Sequence, residues 1–151
     1  MLGTGIVSSC TIVSNYAVTF GGGIFDNAAN NGNLENCIIY FNKCDDATYS
    51  NFYFGALAGT SYTNCCFAPA LSGVVADRST NNITTDPQFV DVAGGNYRLN
   101  KDSLCVNSGV NRDWMNGAVD YDGNARIDPF SGIVDMGCYE YLPSGMVLRG
   151  H

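Results

Sequence analysis

The chain has a single histidine, and it is the terminal residue, His151. Activating a serine or cysteine nucleophile takes a positioned base, and a side chain at a chain end is positioned by nothing. Histidine-dependent nucleophile chemistry is therefore set aside. No C-x-x-C occurs either, so the usual ligand spacings of a zinc site are missing. Charged residues make up only 14% of the chain, well below the share usual in globular domains. Basic charge is the scarcest, with seven Lys and Arg scattered along the sequence and a net charge of −7. Neither a nucleic-acid backbone nor an anionic membrane would find a basic patch here. The apolar runs fall far short of the ~20 residues that cross a bilayer as a helix. No stretch sustains a helical period, which argues against alternating strand and helix units.

Glycine, asparagine and short apolar runs are what the chain has instead. Apolar residues are 46% of 151, enough for one domain with a real core. Asn and Gly favour turns and weaken helix interiors, so the composition points to many short strands joined by many turns. Three segments then align without gaps: Val7 to Asn15, Leu34 to Asn42, and Tyr62 to Phe67. Cys10 to Cys37 is a step of 27 residues and Cys37 to Cys65 a step of 28. A near-constant period of this length marks stacked repeats. Alternation within each segment predicts a strand, with Cys10 and Ile12 on one face and Cys37 and Ile39 on the same face one repeat later. Stacking places Cys10, Cys37 and Cys65 in one inward column and Ile12, Ile39 and Phe67 in the next. Asn15 falls over Asn42 at the following turn, where stacked amides can satisfy each other.

Seven cysteines leave at least one unpaired, and Cys10 and Cys37 read as small buried hydrophobes. Gly21-Gly22-Gly23 lacks the spacing and the following helix of a phosphate loop. It reads as a strand where a side chain would collide with the next repeat. Asp45 to Gly59 is irregular and rich in aromatics, and Ser72 to Asn82 reads as a second loop.

From Ile83 the period breaks. The pieces that follow are Thr85-Asp86-Pro87-Gln88-Phe89-Val90-Asp91, Gly95-Asn96-Tyr97-Arg98-Leu99, Asp120-Tyr121-Asp122-Gly123-Asn124-Ala125-Arg126-Ile127 and Val134-Asp135-Met136-Gly137-Cys138-Tyr139-Glu140-Tyr141. Their order resembles the C-terminal region of secreted bacterial right-handed parallel β-helix proteins, the pectin-lyase-like family of the choice-of-anchor Q type. The resemblance covers nearly all of the chain. It implies an all-β fold: a right-handed parallel β-helix of a few turns over about 1–72, an irregular C-terminal cap over about 83–142, and a tail at 143–151. The cap would cover the open end of the core with Tyr97, Leu99, Val106, Ile127, Val134, Met136 and Tyr139. It also implies an extracellular or cell-surface location. No charged region followed by an apolar stretch is legible after Met1, so the chain reads as the last part of a longer exported protein or as a short gene built from that part. The sequon Asn82-Ile83-Thr84 carries no weight in a bacterial setting. Cys105 and Cys138 stand where the family often has alanine. Cys105 could pair with Cys138, or with Cys65 or Cys66, which face opposite ways.

Few residues point to chemistry. Asp120, Asp122, Asn124 and Asp128 place oxygens at alternate positions, as in a calcium loop. Gly123 is misplaced for the helix-flanked version, and the preferred reading is a tight Asp-Gly-Asn turn, with Arg126 reaching back to a carboxylate such as Asp120 or Asp135. Asp45 and Asp46 are adjacent, so on a strand they point apart and cannot form a glycosidase pair. Lyases of this fold use an acidic cluster beside an Arg or Lys base, whereas Lys43 and Arg78 are isolated. No catalytic residue and no cofactor is assigned. Aromatic faces beside polar groups suit a sugar, and Tyr49, Tyr53, Trp114 and Arg112 are the ligand-contact candidates. The expected function is a non-catalytic structural or adhesive module that binds a polysaccharide or cell-surface glycan, or that associates with itself through its exposed first turn. The alternative is a fragment of a polysaccharide lyase or glycosidase.

Overall fold

The computed structural model describes residues 5–26, 32–54, 59–69 and 79–143. Met1 to Thr4, Arg78, most of the loop expected at Ser72 to Asn82, and the tail from residue 144 lie outside the described residues. So do Gly55 and its neighbours through residue 58 within the irregular aromatic stretch. Among the described residues the chain is all-β, with mostly parallel sheets and two short 3-10 turns.

The first repeat supplies β1 (Ile6–Ser8), β2 (Thr11–Val13), β3 (Tyr16–Ala17) and β4 (Ile24–Asp26). The second supplies β5 (Asn33–Glu35), β6 (Ile38–Tyr40), β7 (Lys43–Cys44) and β8 (Phe52–Phe54). Each strand lies parallel to its counterpart: β1 on β5, β2 on β6, β3 on β7 and β4 on β8. The third repeat adds β9 (Ser61–Thr63) on β5 and β10 (Cys66–Phe67) on β6. Stacking then continues past the expected boundary near residue 72. β11 (Ser79–Thr80) pairs with β9, and Ile83 bridges to Cys66. Ile83, expected to open the cap, belongs to a shortened fourth layer.

The predicted register is present. Ile12 pairs with Ile39 and Ile39 with Phe67, and both buried residues of that trio lie in the core lined by Cys37, Cys65, Leu34 and Tyr62. Asn15 donates to Asn42 Oδ1 at 3.0 Å. The amide ladder runs one rung further than expected, because Asn42 Nδ2 donates to Asn51 Oδ1 at 3.2 Å and Asn51 Nδ2 to the Ala68 carbonyl at 2.8 Å. Asn51 comes from the irregular loop, outside the aligned segments.

Between the first strand of each repeat and the second, the chain turns on one residue in the left-handed region: Ser9, Asn36, Asn64 and Asn81. Asparagine tolerates this conformation better than most residues, so its recurrence has a conformational cause. The triple glycine also has a steric cause. A Cβ on Gly22 would strike the Lys43 carbonyl, and one on Gly23 the Asn51 carbonyl at 2.5 Å, both in the next repeat.

One expectation fails. Ile83 still continues the stack, but the segment from Phe89 to Tyr141 lies along its side, touching the first three repeats: Cys138 N donates to Thr11 Oγ1, Asn36 bonds with Val110, and Asn64 Nδ2 donates to the Ser108 carbonyl. The reason is on the strands. Ile38 and Cys66 alternate outward from the first core, yet both are buried. They form a second core with Phe89, Leu99, Cys105 and Met136. Phe89 and Leu99 reach it from an antiparallel hairpin, β12 (Phe89–Asp91) and β13 (Asn96–Leu99), in which they are paired. Of the residues expected to cover an end, Tyr97, Leu99, Val106 and Met136 cover this flank instead.

Candidate functional site

A hollow of about 290 Å³ opens where the first repeat meets the lateral segment. Its walls are Ser8, Ser9, Trp114, Val119, Asp120, Tyr121, Arg126 and Cys138. Ser8 ends β1 and Ser9 is the left-handed corner after it, which turns the two hydroxyls onto the outer surface 3.4 Å apart.

Trp114 reaches the hollow by exclusion from the core. The turn Asp113–Met115 buries Met115 and leaves the indole 55% exposed. Arg112 pins the start of that turn. Its Nε donates to Glu35 Oε1 at 2.9 Å, and its terminal nitrogen also pairs with that carboxylate, on β5. Arg112 is therefore a bracket for the tryptophan turn, already occupied by an ion pair.

Tyr121 lines the same hollow, 80% exposed, with its N–H donated to the Cys138 carbonyl at 3.0 Å and its ring edge-on to Tyr139. The Asp-Tyr-Asp-Gly-Asn run that presents it is a tight turn with Gly123 in the left-handed region. Asp120 organises this turn from within. Its Oδ1 accepts the N–H groups of Asp122 and Asn124, and its Oδ2 accepts the Glu140 N–H and the Asn124 amide. The other calcium candidates diverge. Asp122 pairs with Arg98 at 2.5 Å, and Asp128 caps the next turn through the N–H groups of Phe130 and Ser131. Among the described residues no group of three or more His, Cys, Asp or Glu is arranged to hold a metal.

Behind the hollow lies a buried ionic nest. Arg126 donates through both terminal nitrogens to the Gly137 carbonyl at 3.1 Å and stands 3.2 Å from Glu140 Oε1. It reaches Glu140, not Asp120 or Asp135 as the sequence suggested. Burial pushes the Glu140 carboxyl up to about 8, with Asp135 adding to the effect. Burial likewise raises Asp135 to about 6, against the N–H groups of Asn107 and Tyr141 that favour its charge. Neither carboxyl lines the hollow, so both read as supports of the lateral segment.

Tyr49 and Tyr53 lie elsewhere. Tyr53 on β8 stacks between Phe25 on β4 and Phe20, at 5.1 and 4.7 Å, and Tyr49 meets Phe20 and Tyr53 edge-on. The two tyrosines are brought together with each other and not with Trp114. Sequence reasoning missed Ser8, Ser9 and Tyr121. The only signal for Tyr121 was an aromatic at the tip of an Asp-Gly-Asn turn, and for the serines there was none, since their neighbours are more than a hundred residues away in the chain.

The hollow thus offers an exposed indole, an exposed phenol ring and two hydroxyls. Its two charged side chains are engaged by other groups of the protein. Such a surface can stack the apolar face of a pyranose and hydrogen-bond its hydroxyls. Among the described residues no helix is long and apolar enough to cross a membrane. No protein-family model matches the chain, and no curated protein matches it.

Proposed function

We propose that the chain is a stretch of parallel β-helix, flanked by its own C-terminal segment, that serves as a non-catalytic structural and adhesive module of an exported bacterial protein and binds a glycan at the Trp114–Tyr121 hollow. The strand pairing supports the architecture: three successive layers stack parallel, in register, at the steps of 27 and 28 residues read from the sequence, and a shortened fourth follows on β9. The glycan reading rests on one observation, two largely exposed aromatic side chains, Trp114 and Tyr121, lining the same hollow as the serine side chains of Ser8 and Ser9.

Trp114 is the only tryptophan of the chain, so its fluorescence reports on this site alone. Titration with a panel of neutral and acidic oligosaccharides should give a saturable change in emission for at least one class. The Tyr121→Ala variant should weaken that response at least tenfold. A panel that leaves the emission unchanged overturns the glycan reading. Release of unsaturated products from polygalacturonate or alginate by the chain alone would replace it with a lyase.

A further inference from the structure

Among seven cysteines, one pair is placed differently from the rest. Cys66 on β10 and Cys105 in the lateral segment are both fully buried in the second core. One comes from a strand of the third repeat and the other from the lateral segment, so this core brings together thiols from two separate elements, and each is the largest influence on the other's ionisation. We propose that Cys66 and Cys105 are a disulfide site, and that the bond fastens the lateral segment to the third repeat.

The other close thiols are poorly placed for this. Cys10, Cys37 and Cys65 form a column on successive layers, where Ile38 N donates to the Cys10 carbonyl and Cys66 N to the Cys37 carbonyl. Residues in register on neighbouring parallel strands carry parallel Cβ bonds, so their Cβ atoms stay about one strand spacing apart, roughly 4.7–4.9 Å. A disulfide wants roughly 3.5–4.5 Å. Bridging the column would pull the layers together. Of the three partners the sequence left open for Cys105, Cys138 sits at Thr11. Cys66 and Cys105 come from separate elements packed across one core, so a bond between them is not held to the strand spacing of a parallel ladder.

Burial sets when the bond can form. A thiol must ionise to attack, and a dry core disfavours the thiolate. Oxidation therefore accompanies docking of the lateral segment, before water leaves the second core. The oxidant is a disulfide-bearing exchange partner, either an oxidised dithiol protein or glutathione disulfide. One cysteine thiolate attacks the partner disulfide and forms a mixed disulfide with release of one partner thiol. The second cysteine displaces the other partner thiol. The protein loses two protons and two electrons, and the partner gains them as two thiols.

The experiment refolds the full chain in a mixture of reduced and oxidised glutathione, blocks free thiols with an alkylating agent, and digests with trypsin without reduction. Asp102 to Arg112 carries Cys105 as its only cysteine, while Cys44 to Arg78 carries Cys44, Cys65 and Cys66. Mass spectrometry should find these two peptides linked, with fragmentation between Cys65 and Cys66 placing the bond on Cys66. The Cys65→Ala variant should keep the link and Cys66→Ala should lose it. Seven alkylated cysteines, a link from Cys105 to Cys44, Cys65 or Cys138, or a link that survives Cys66→Ala would overturn the proposal. If either variant fails to fold, the fragment pattern of the unmutated chain decides alone.

Discussion

The side chain of Asn36 and the backbone of Val110 exchange two hydrogen bonds across 74 residues of sequence: Nδ2 donates to the Val110 carbonyl at 2.9 Å, and the Val110 N–H donates to Oδ1 at 2.8 Å. A carboxamide has the same donor and acceptor as a peptide unit, so the corner residue imitates a strand partner for the segment beside it. Asn36 is fully buried and holds a left-handed backbone at the same time.

Replacing Asn36 with alanine should therefore cost ~1–3 kcal/mol, because two half-buried backbone groups of Val110 lose their partners and the left-handed corner loses a tolerant residue. Asn36→Gly relieves only the backbone part and should recover only a fraction of the loss. Urea unfolding curves of the two variants measure this. Equal stability of Asn36→Ala and the parent would show that water replaces the amide without cost.

Ile38→Asp should be as damaging as Ile39→Asp, although the two side chains point to opposite faces of β6. Each would bury an unpaired carboxylate, a loss of several kcal/mol and comparable to a small domain's whole margin. Circular dichroism melts test it. Tolerance of Ile38→Asp alone would mean that the outer face of β6 is wet.

That second buried face was legible and went unread. Strands covered on one side alternate, whereas Cys37-Ile38-Ile39 and Cys65-Cys66-Phe67 are continuous apolar runs, the pattern of strands covered on both. The repeat steps, the inward columns and the steric role of the triple glycine followed from local spacing and close approach, which a sequence displays directly. Asn51 as a rung of the ladder, Arg112 on Glu35, and Ser8 beside Trp114 depend on contacts between segments of unrelated register. No periodicity announces them.

Asn42 accepts from Asn15 through Oδ1 and donates through Nδ2 to the Ile12 and Tyr40 carbonyls. Asn42→Asp keeps the shape and removes the donor, setting oxygen against oxygen. The variant should lose several kcal/mol at neutral pH and regain part of it in acid, where a protonated carboxyl can donate again. Thermal melts at two pH values check this, and a loss independent of pH would place the fault in packing alone.

The pH dependence of the parent should run in the direction set by its buried acids. Glu140 and Asp135 hold their protons more tightly folded than unfolded, at about 8 and about 6. As pH rises from the ordinary carboxylate range of roughly 4, the unfolded chain releases protons that the folded chain keeps. Stability therefore falls across that window and levels off above about 8. Glu140→Gln, which can still accept the Asp135 N–H, should flatten the upper part of the curve, with Arg126 and Asp120 still in place. A melting temperature that climbs from mildly acid to mildly alkaline conditions contradicts this assignment.

Among the described residues β1 pairs on one side only, and Ile6 is 70% exposed on it. Such an edge accepts another strand. Light scattering at micromolar concentration should show association that weakens in Ile6→Lys. A monomer at every concentration would remove self-association from the proposed role.

The lateral placement of the segment from Phe89 to Tyr141 has a consequence for how the chain is made. Cys138 donates to Thr11 across 127 residues. A chain leaving the ribosome from its N-terminus can stack these layers as they emerge, but Ile38 and Cys66 stay wet until the segment that carries Phe89, Leu99, Cys105 and Met136 has followed. Contacts of such long separation are slow to form, and waiting apolar surface invites aggregation. Biosynthesis thus leaves an interval in which a holding chaperone, or an oxidant reaching Cys66 before it is sealed, has access that the finished protein denies.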